Sequence, residues 1–262
     1  MSTTRVTTPA DTTSTAWLRR YHPGGHSPVR LVCFPHAGGS ASFYHPLSAR
    51  FAPGADVLAV QYPGRQDRRR EPCLDDIGTL ADRVVAELAA LAPRPTVFFG
   101  HSMGAVLAFE VAWRLERAGL PGAPAALLAS GRRGPSTHRD ETVHRLDDEG
   151  VIAELRLLNG TEAAVLGDEE ILRMALPAIR GDYRAIETYR CPPERVVSCP
   201  ITVLTGVDDP KTTAAEARAW RDHTTGAFRV EEFPGGHFFL IAQQAAVASA
   251  IEVELDRVAA LG

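Results

Sequence analysis

The stretch Phe98-Phe99-Gly100-His101-Ser102-Met103-Gly104 sets a serine two residues from a glycine on either side, between an apolar run and a series of good helix formers. A serine on such a strand-to-helix bend is exposed and strained, and only small neighbours avoid a clash beside it. The helix that begins behind it points free N–H groups toward negative charge, including that of an oxyanion. The pattern predicts Ser102 as a nucleophile that attacks a carbonyl. The plainer reading is that Gly100 and Gly104 merely end one element and begin the next.

A serine needs a base, and chains with this kind of elbow run in the order serine, acid, histidine. His237, in "FPGGHFFL", lies in a glycine-rich turn after the last expected strand and before a C-terminal helix, and is the expected general base. His223, in the polar "WRDHTTG", reads as a solvated helix end. The segment "ITVLTGVDDP" offers Asp208 and Asp209 just past a strand, where a carboxylate would accept the histidine Nδ1–H and fix its tautomer. Asp209, the third residue after Gly206, is preferred, and Asp208 stays open as the alternative. Two N–H donors are needed for an oxyanion: Met103 would give one, and Ala37 the other, from "CFPHAGGSASFY", where Gly38 and Gly39 let the backbone approach a ligand closely. Arg65, Arg68, Arg69 and Arg70 in "QYPGRQDRRREP" could meet an acidic carrier protein or a phosphate, or form a solvated loop balanced by Asp67 and Glu71.

These residues need a scaffold. Short apolar runs recur at 29–34, 56–61, 96–100, 125–130, 201–206 and 228–233. Most are continuous rather than alternating, as in strands covered on both faces. Between them, Leu74, Ile77, Leu80, Ala81, Val84, Leu88 and Leu91 share one helical face over 74–91, and 103–118 reads as a helix stopped by Gly119 and Pro121. The alternation predicts an α/β fold with a mainly parallel sheet flanked by helices. From 137 to 188 only helical signals occur, the last stretch split into two short helices at Pro177 and Gly181. Such an insertion would sit at one edge of the sheet and cover a site. Leu155, Leu157, Leu158, Ile171, Leu172, Met174 and Leu176 could line a pocket there, or simply pack the helices together.

A chain of 262 residues with 45% hydrophobic and 23% charged residues can bury one substantial core. We expect a flexible Thr/Ser-rich tail over 1–16 and a single domain over 17–262, with its lid about 137–188. The net charge of −4, without a long basic stripe, argues against nucleic acid as a partner. Four cysteines without CxxC pairing read as isolated thiols of a reducing cytosol, and no cluster suggests a metal or organic cofactor. The tail is not a secretory signal, and no apolar stretch is long enough to span a bilayer, so a cytoplasmic location is expected.

Taken together, "FPHAGGSASFY", "QYPGRQDRR", "FFGHSMGAVLAFEVA", "LPAIRGDYRAIETY", "ITVLTGVDDP" and "FPGGHFFL" resemble the type II thioesterases of polyketide and nonribosomal peptide synthesis, from about residue 28 to the C-terminus. The resemblance implies an α/β-hydrolase fold with a helical lid. It implies hydrolysis of acyl groups from the phosphopantetheine arm of acyl or peptidyl carrier proteins, an editing task performed by a monomer. It carries Ser102 to nucleophile, His237 to base, an aspartate of "VDDP" to orienting acid and "HAGG" to the oxyanion loop. A general carboxylesterase acting on small free esters would use the same triad and is the alternative. A chain-terminating thioesterase domain is a closer rival, against which the initiating Met1 and a complete domain favour a free-standing enzyme. A non-catalytic binder on a hydrolase scaffold would be expected to lack a triad member.

Overall fold

The apolar runs do become strands, each within one residue of the expected bounds: β2 (Val29–Phe34), β3 (Ala55–Val60), β4 (Thr96–His101), β5 (Ala126–Ser130), β6 (Ile201–Gly206) and β7 (Phe228–Phe233). A two-residue β1 (Leu18–Arg19), too short to leave a sequence pattern, pairs antiparallel with β3. The computed structural model describes residues 15–24, 27–159 and 169–260. The tail expected over 1–16 falls, apart from its last two residues, outside them, as do residues 160–168 of the helical insertion.

The seven strands form one sheet in the order β1-β3-β2-β4-β5-β6-β7, parallel except for β1. Strands β2 to β6 are buried along their whole length. The period of two then sorts their side chains into two cores. Val32, Phe34, Leu58, Val60 and Phe98 face one side, where they meet α2 (Ile77–Ala89) and α3 (Met103–Ala118). Leu31, Cys33, Val57, Ala59 and Phe99 face the other, against α1 (His45–Phe51) and α8 (Gln244–Ala259). Edge strand β7 is only partly covered, with Phe233 its one buried residue.

Helix α2 is shorter than the apolar pattern over 74–91. It starts where the Asp76 carboxylate accepts the Thr79 N–H at 2.7 Å, a side-chain cap, and Leu74 and Leu91 pack on the core from outside it. Helix α3 runs as expected to Gly119, whose left-handed φ of 61° closes it.

Between β5 and β6 lies the helical insertion, with α4 (Asp148–Asn159) and α5 (Glu169–Thr188). Here the expectation of two short helices fails: α5 is one helix of 20 residues with Pro177 inside it. Proline removes one intrahelical bond, but the helix is held along its length by a small core of its own. That core joins Val151, Ile152, Leu155, Leu172, Leu176, Ile179 and Tyr183. Gly181 is where the helix passes over the segment around Cys73 and Leu74, and a Cβ there would stand 3.4 Å from the Cys73 Cβ. The remaining helices are α6 (Ala214–Arg218) and α7 (Phe239–Ala242). No helix among the described residues is long and apolar enough to cross a membrane. All four cysteines are free; Cys33, Cys191 and Cys199 are buried, and Cys73 is partly exposed.

Candidate active site

The chain reverses direction across the sheet at β2, which has β3 on one side and β4 on the other. Parallel α/β sheets place ligands outside the carboxyl ends of the strands at such a switch point. The loop after β2 carries "HAGG" and the bend after β4 carries Ser102, with Phe34 and Gly100 directly paired in the register.

Ser102 has φ 55° and ψ −117°, a region that non-glycine residues rarely occupy. Its strain is imposed by contacts on both sides. A Cβ on Gly100 would lie 2.2 Å from the Gly104 carbonyl oxygen, and one on Gly104 would lie 2.0 Å from that of Phe34. The two glycines are therefore required by a close crossing of β2, β4 and α3, and they do more than mark element ends. The Ser102 N–H is tied to the Ser130 carbonyl at 2.8 Å.

His237 reaches this bend from the turn before α7. Its Nε2 lies 3.0 Å from Ser102 Oγ, and its Nδ1 lies 3.0 and 2.9 Å from the two oxygens of Asp209. Both His237 and Asp209 are buried. With Nδ1 donating to the carboxylate, Nε2 is left as the acceptor for the serine hydroxyl proton. Asp208 is exposed and does not touch the histidine; its N–H donates to Gly235 at 3.0 Å and ties the two loops together. The loops also meet at Gly206, where a Cβ would stand 2.4 Å from the Gly236 carbonyl oxygen. Asp209 is itself held by the Lys211 N–H at 2.8 Å.

Of the "HAGG" amides, Gly38 donates to Asp182 and Gly39 to the His36 carbonyl. The Ala37 N–H makes no such bond among the described residues, and Met103 opens α3, where the first N–H groups have no intrahelical acceptor. A cavity of about 30 Å³ joins Ala37, Ser102 and His237 to Arg132, Leu155, Leu158 and Tyr183, so the insertion roofs the site. Leu172 and Leu176 pack inside the insertion, whereas Leu157 and Met174 point outward at 68% and 70% exposure. The Ile171 side chain lies outside the description.

Two further imidazoles flank His237: the rings of His36 and His101 pack against Phe238, and His101 lies 5.1 Å from His237. Burial, then the neighbouring His237, lowers both, His36 to about 3 and His101 well below its ordinary value. Both flanking rings are thus held neutral.

His223 is not solvated. It is fully buried beside Phe109, with Ser136 Oγ 2.8 Å from its Nε2 and the Arg195 carbonyl 2.7 Å from its Nδ1. Arg221 and Asp222 before it are exposed, while the ring and the following Thr224 pack inward.

The arginine loop splits the same way. Arg65 is buried and grips Asp182 of α5 with two bonds of 2.6 and 2.8 Å, while donating to the Gly39 carbonyl at 3.0 Å. Arg68 pairs with Glu71 and lies over the Trp17 ring. Neither is a surface cation awaiting a phosphate. Nothing local in the sequence marks Asp182, although "PGR", "HAGG" and "RGDY" each stand out along the chain. What was missing was their proximity, since one carboxylate joins the three segments.

Compared with known proteins, residues 29–255 match the Thioesterase domain family. The chain is 66% identical over 254 residues to a probable cadicidin biosynthesis thioesterase of Streptomyces griseus, covering 96% of this chain and 70% of that one. It is 48% identical to thioesterase PikA5 of Streptomyces venezuelae, covering 88% and 83%. The solved type II thioesterase BorB, from the borrelidin biosynthetic cluster, superimposes with a TM-score of 0.88 at 53% identity, over 94% of this chain and all (100%) of that one. The sheet and its flanking helices are those of an α/β-hydrolase, and the chain belongs to the thioesterase-domain family.

Proposed function

We propose that this enzyme is a free-standing editing thioesterase, which frees stalled or wrongly loaded acyl units from the phosphopantetheine arm of polyketide or nonribosomal peptide carrier proteins. The observation that carries the reading is the unbroken Ser102–His237–Asp209 hydrogen-bond chain at the switch point of a thioesterase-domain sheet. The relationship to type II thioesterases of such clusters supports the substrate class.

His237 Nε2 takes the Ser102 proton as Oγ attacks the thioester carbonyl carbon. The carbonyl oxygen, now anionic, receives the Ala37 and Met103 N–H groups. Collapse breaks the carbon–sulfur bond, and His237 returns its proton to the departing pantetheine sulfur. Water then attacks the acyl-serine with His237 again as base; the carbon–Oγ bond breaks as His237 returns that proton to Ser102, and the free acid leaves. Asp209 holds the His237 Nδ1–H and stabilises the imidazolium that forms twice. The helical insertion serves as the lid. The enzyme works as a cytoplasmic monomer and needs neither a metal nor an organic cofactor.

The test follows release of acetyl, propionyl and longer acyl groups from phosphopantetheinylated carrier protein by wild type and Ser102→Ala. Release by wild type and loss of about 10⁴-fold or more in the variant is expected. Intact carrier thioesters with cleavage of simple oxygen esters would replace this reading with the carboxylesterase.

A further inference from the structure

Arginine 132 stands out among the residues around Ser102. It follows β5 in the segment "SGRRGP", lines the same cavity as Ser102 and His237, and is 9% exposed. Its Nε is buried with no acceptor, and no hydrogen bond or ion pair from its guanidinium occurs among the described residues. Its neighbour Arg133 also has a buried Nε with no acceptor, but its terminal nitrogens pair with Glu141 and donate to the Lys211 carbonyl at 3.2 Å. Lys211, in the same cavity, is also satisfied, by Glu141 at 3.1 Å and by Glu154.

A buried guanidinium without a partner is costly, because an unmet donor keeps its full desolvation penalty. Burial and the adjacent Arg133 hold Arg132 below the ordinary arginine value, so an anion or carbonyl beside it would relieve it. A second unpartnered donor shares the cavity. Tyr183, on α5, is buried, and its hydroxyl has no hydrogen bond among the described residues. Burial and the carboxylates of Glu154, Glu187 and Glu141 raise the Tyr183 phenol, so it stays protonated and able to donate. The rest of the lining from the insertion combines the apolar Leu155, Leu158 and Ile186 with two carboxylates already engaged elsewhere, Glu141 by Arg133 and Lys211 and Glu187 by the Val143 and His144 N–H groups.

We infer that Arg132 and the Tyr183 hydroxyl form an oxygen-binding subsite that selects acyl groups carrying a carbonyl, hydroxyl or carboxylate oxygen near the thioester. The shared chemistry is an acceptor oxygen, which the amides of the pantetheine arm could also supply. The acyl chain is favoured because both donors sit among the leucines and isoleucine that a hydrocarbon would contact. The inference rests on the thioesterase reading above.

The test compares butyryl and 3-oxobutyryl thioesters, each on pantetheine and on the shorter N-acetylcysteamine, with wild type, Arg132→Leu, Arg132→Lys and Tyr183→Phe. The measured quantity is the ratio of kcat/KM for 3-oxobutyryl to that for butyryl. The ratio should fall about tenfold or more in Arg132→Leu and by less in Tyr183→Phe, on both carriers, with Arg132→Lys recovering part of it. An unchanged ratio overturns the subsite, whatever happens to the absolute rates. A loss common to both acyl groups on pantetheine and absent on N-acetylcysteamine would overturn the acyl-chain assignment and move the bound oxygen to the arm. If wild type cleaves none of the four, the thioesterase reading itself has failed, an outcome distinct from a constant ratio.

Discussion

The floor and the roof of the site are held together by different forces. The floor, made of the loops after β2, β4, β6 and β7, is fixed by backbone against backbone. Gly104 touches Phe34, Gly206 touches Gly236, and the Ser102, Asp208 and Asp209 amides all bond to other main-chain carbonyls. The roof, α4 and α5, has its own small core and meets the rest through side chains: Ala185 and Ile186 join the main core, and Asp182 pairs with Arg65, Glu154 with Lys211 and Arg184 with Asp75. Backbone contacts at van der Waals distance admit one arrangement. Ion pairs between long side chains tolerate displacement, and exposed ones such as Arg184–Asp75 contribute little. The triad candidates therefore sit on the part packed backbone to backbone, and the cavity beside them is covered by the part joined to it through side chains.

The strongest way to break the floor chemically is Asp209→Asn, which should lower kcat about 10⁴-fold by turning His237 to the wrong tautomer. Asp208→Asn, one residue away but exposed, should stay within about threefold, since ordinary surface changes have small effects. Carrier-thioester kinetics on the pair check both. If the two variants lost activity equally, the loop would be acting as a whole and the contrast would vanish.

Breaking the floor mechanically is the next largest effect. Gly104→Ala places a methyl 2.0 Å from the Phe34 carbonyl oxygen, backbone that has no room to retreat. A loss of about 4 kcal/mol in urea unfolding is expected. The smallest of the three sharpens the comparison at the seam. Asp182→Asn leaves the buried Arg65 charge without its counterpart and weakens the acceptor of the Gly38 N–H. It should cost about 3 kcal/mol of stability. It should also lower kcat more than it raises KM for short acyl groups, because the loop beside Ala37 is no longer anchored from above.

The floor was largely legible in the sequence and the roof was not. Continuous apolar runs are hard to mistake when both faces of a strand are covered, and each catalytic candidate sits just after one of them. Ser102, Asp209 and His237 could be proposed because an elbow, an acid loop and a glycine turn each have local chemistry. The choice of Asp209 over Asp208 depended on the direction of two adjacent side chains, which spacing alone only suggested. In the roof, Pro177 was read by its local cost, and tertiary packing against Val151, Ile152 and Leu155 outweighed it. His223 misled because its neighbours in sequence are polar, while in space its ring packs on Phe109 and its nitrogens are met by Ser136 and the Arg195 carbonyl. Arg65 and Asp182 are 117 residues apart, and no pattern along a chain announces such a pair.

Cys73 offers a way to watch this seam. It lies between the arginine loop and α5, with its Sγ 2.3 Å from where a Cβ on Gly64 would be and its own Cβ 3.4 Å from where one on Gly181 would be. Burial raises all four thiols; the fully enclosed Cys33 and Cys199 are raised far, Cys199 to about 12, whereas Cys73 is partly open to solvent. A thiol-reactive fluorophore added to the native protein would therefore find Cys73 first. Its emission would report the separation of roof and floor during a single turnover, with no engineered residue.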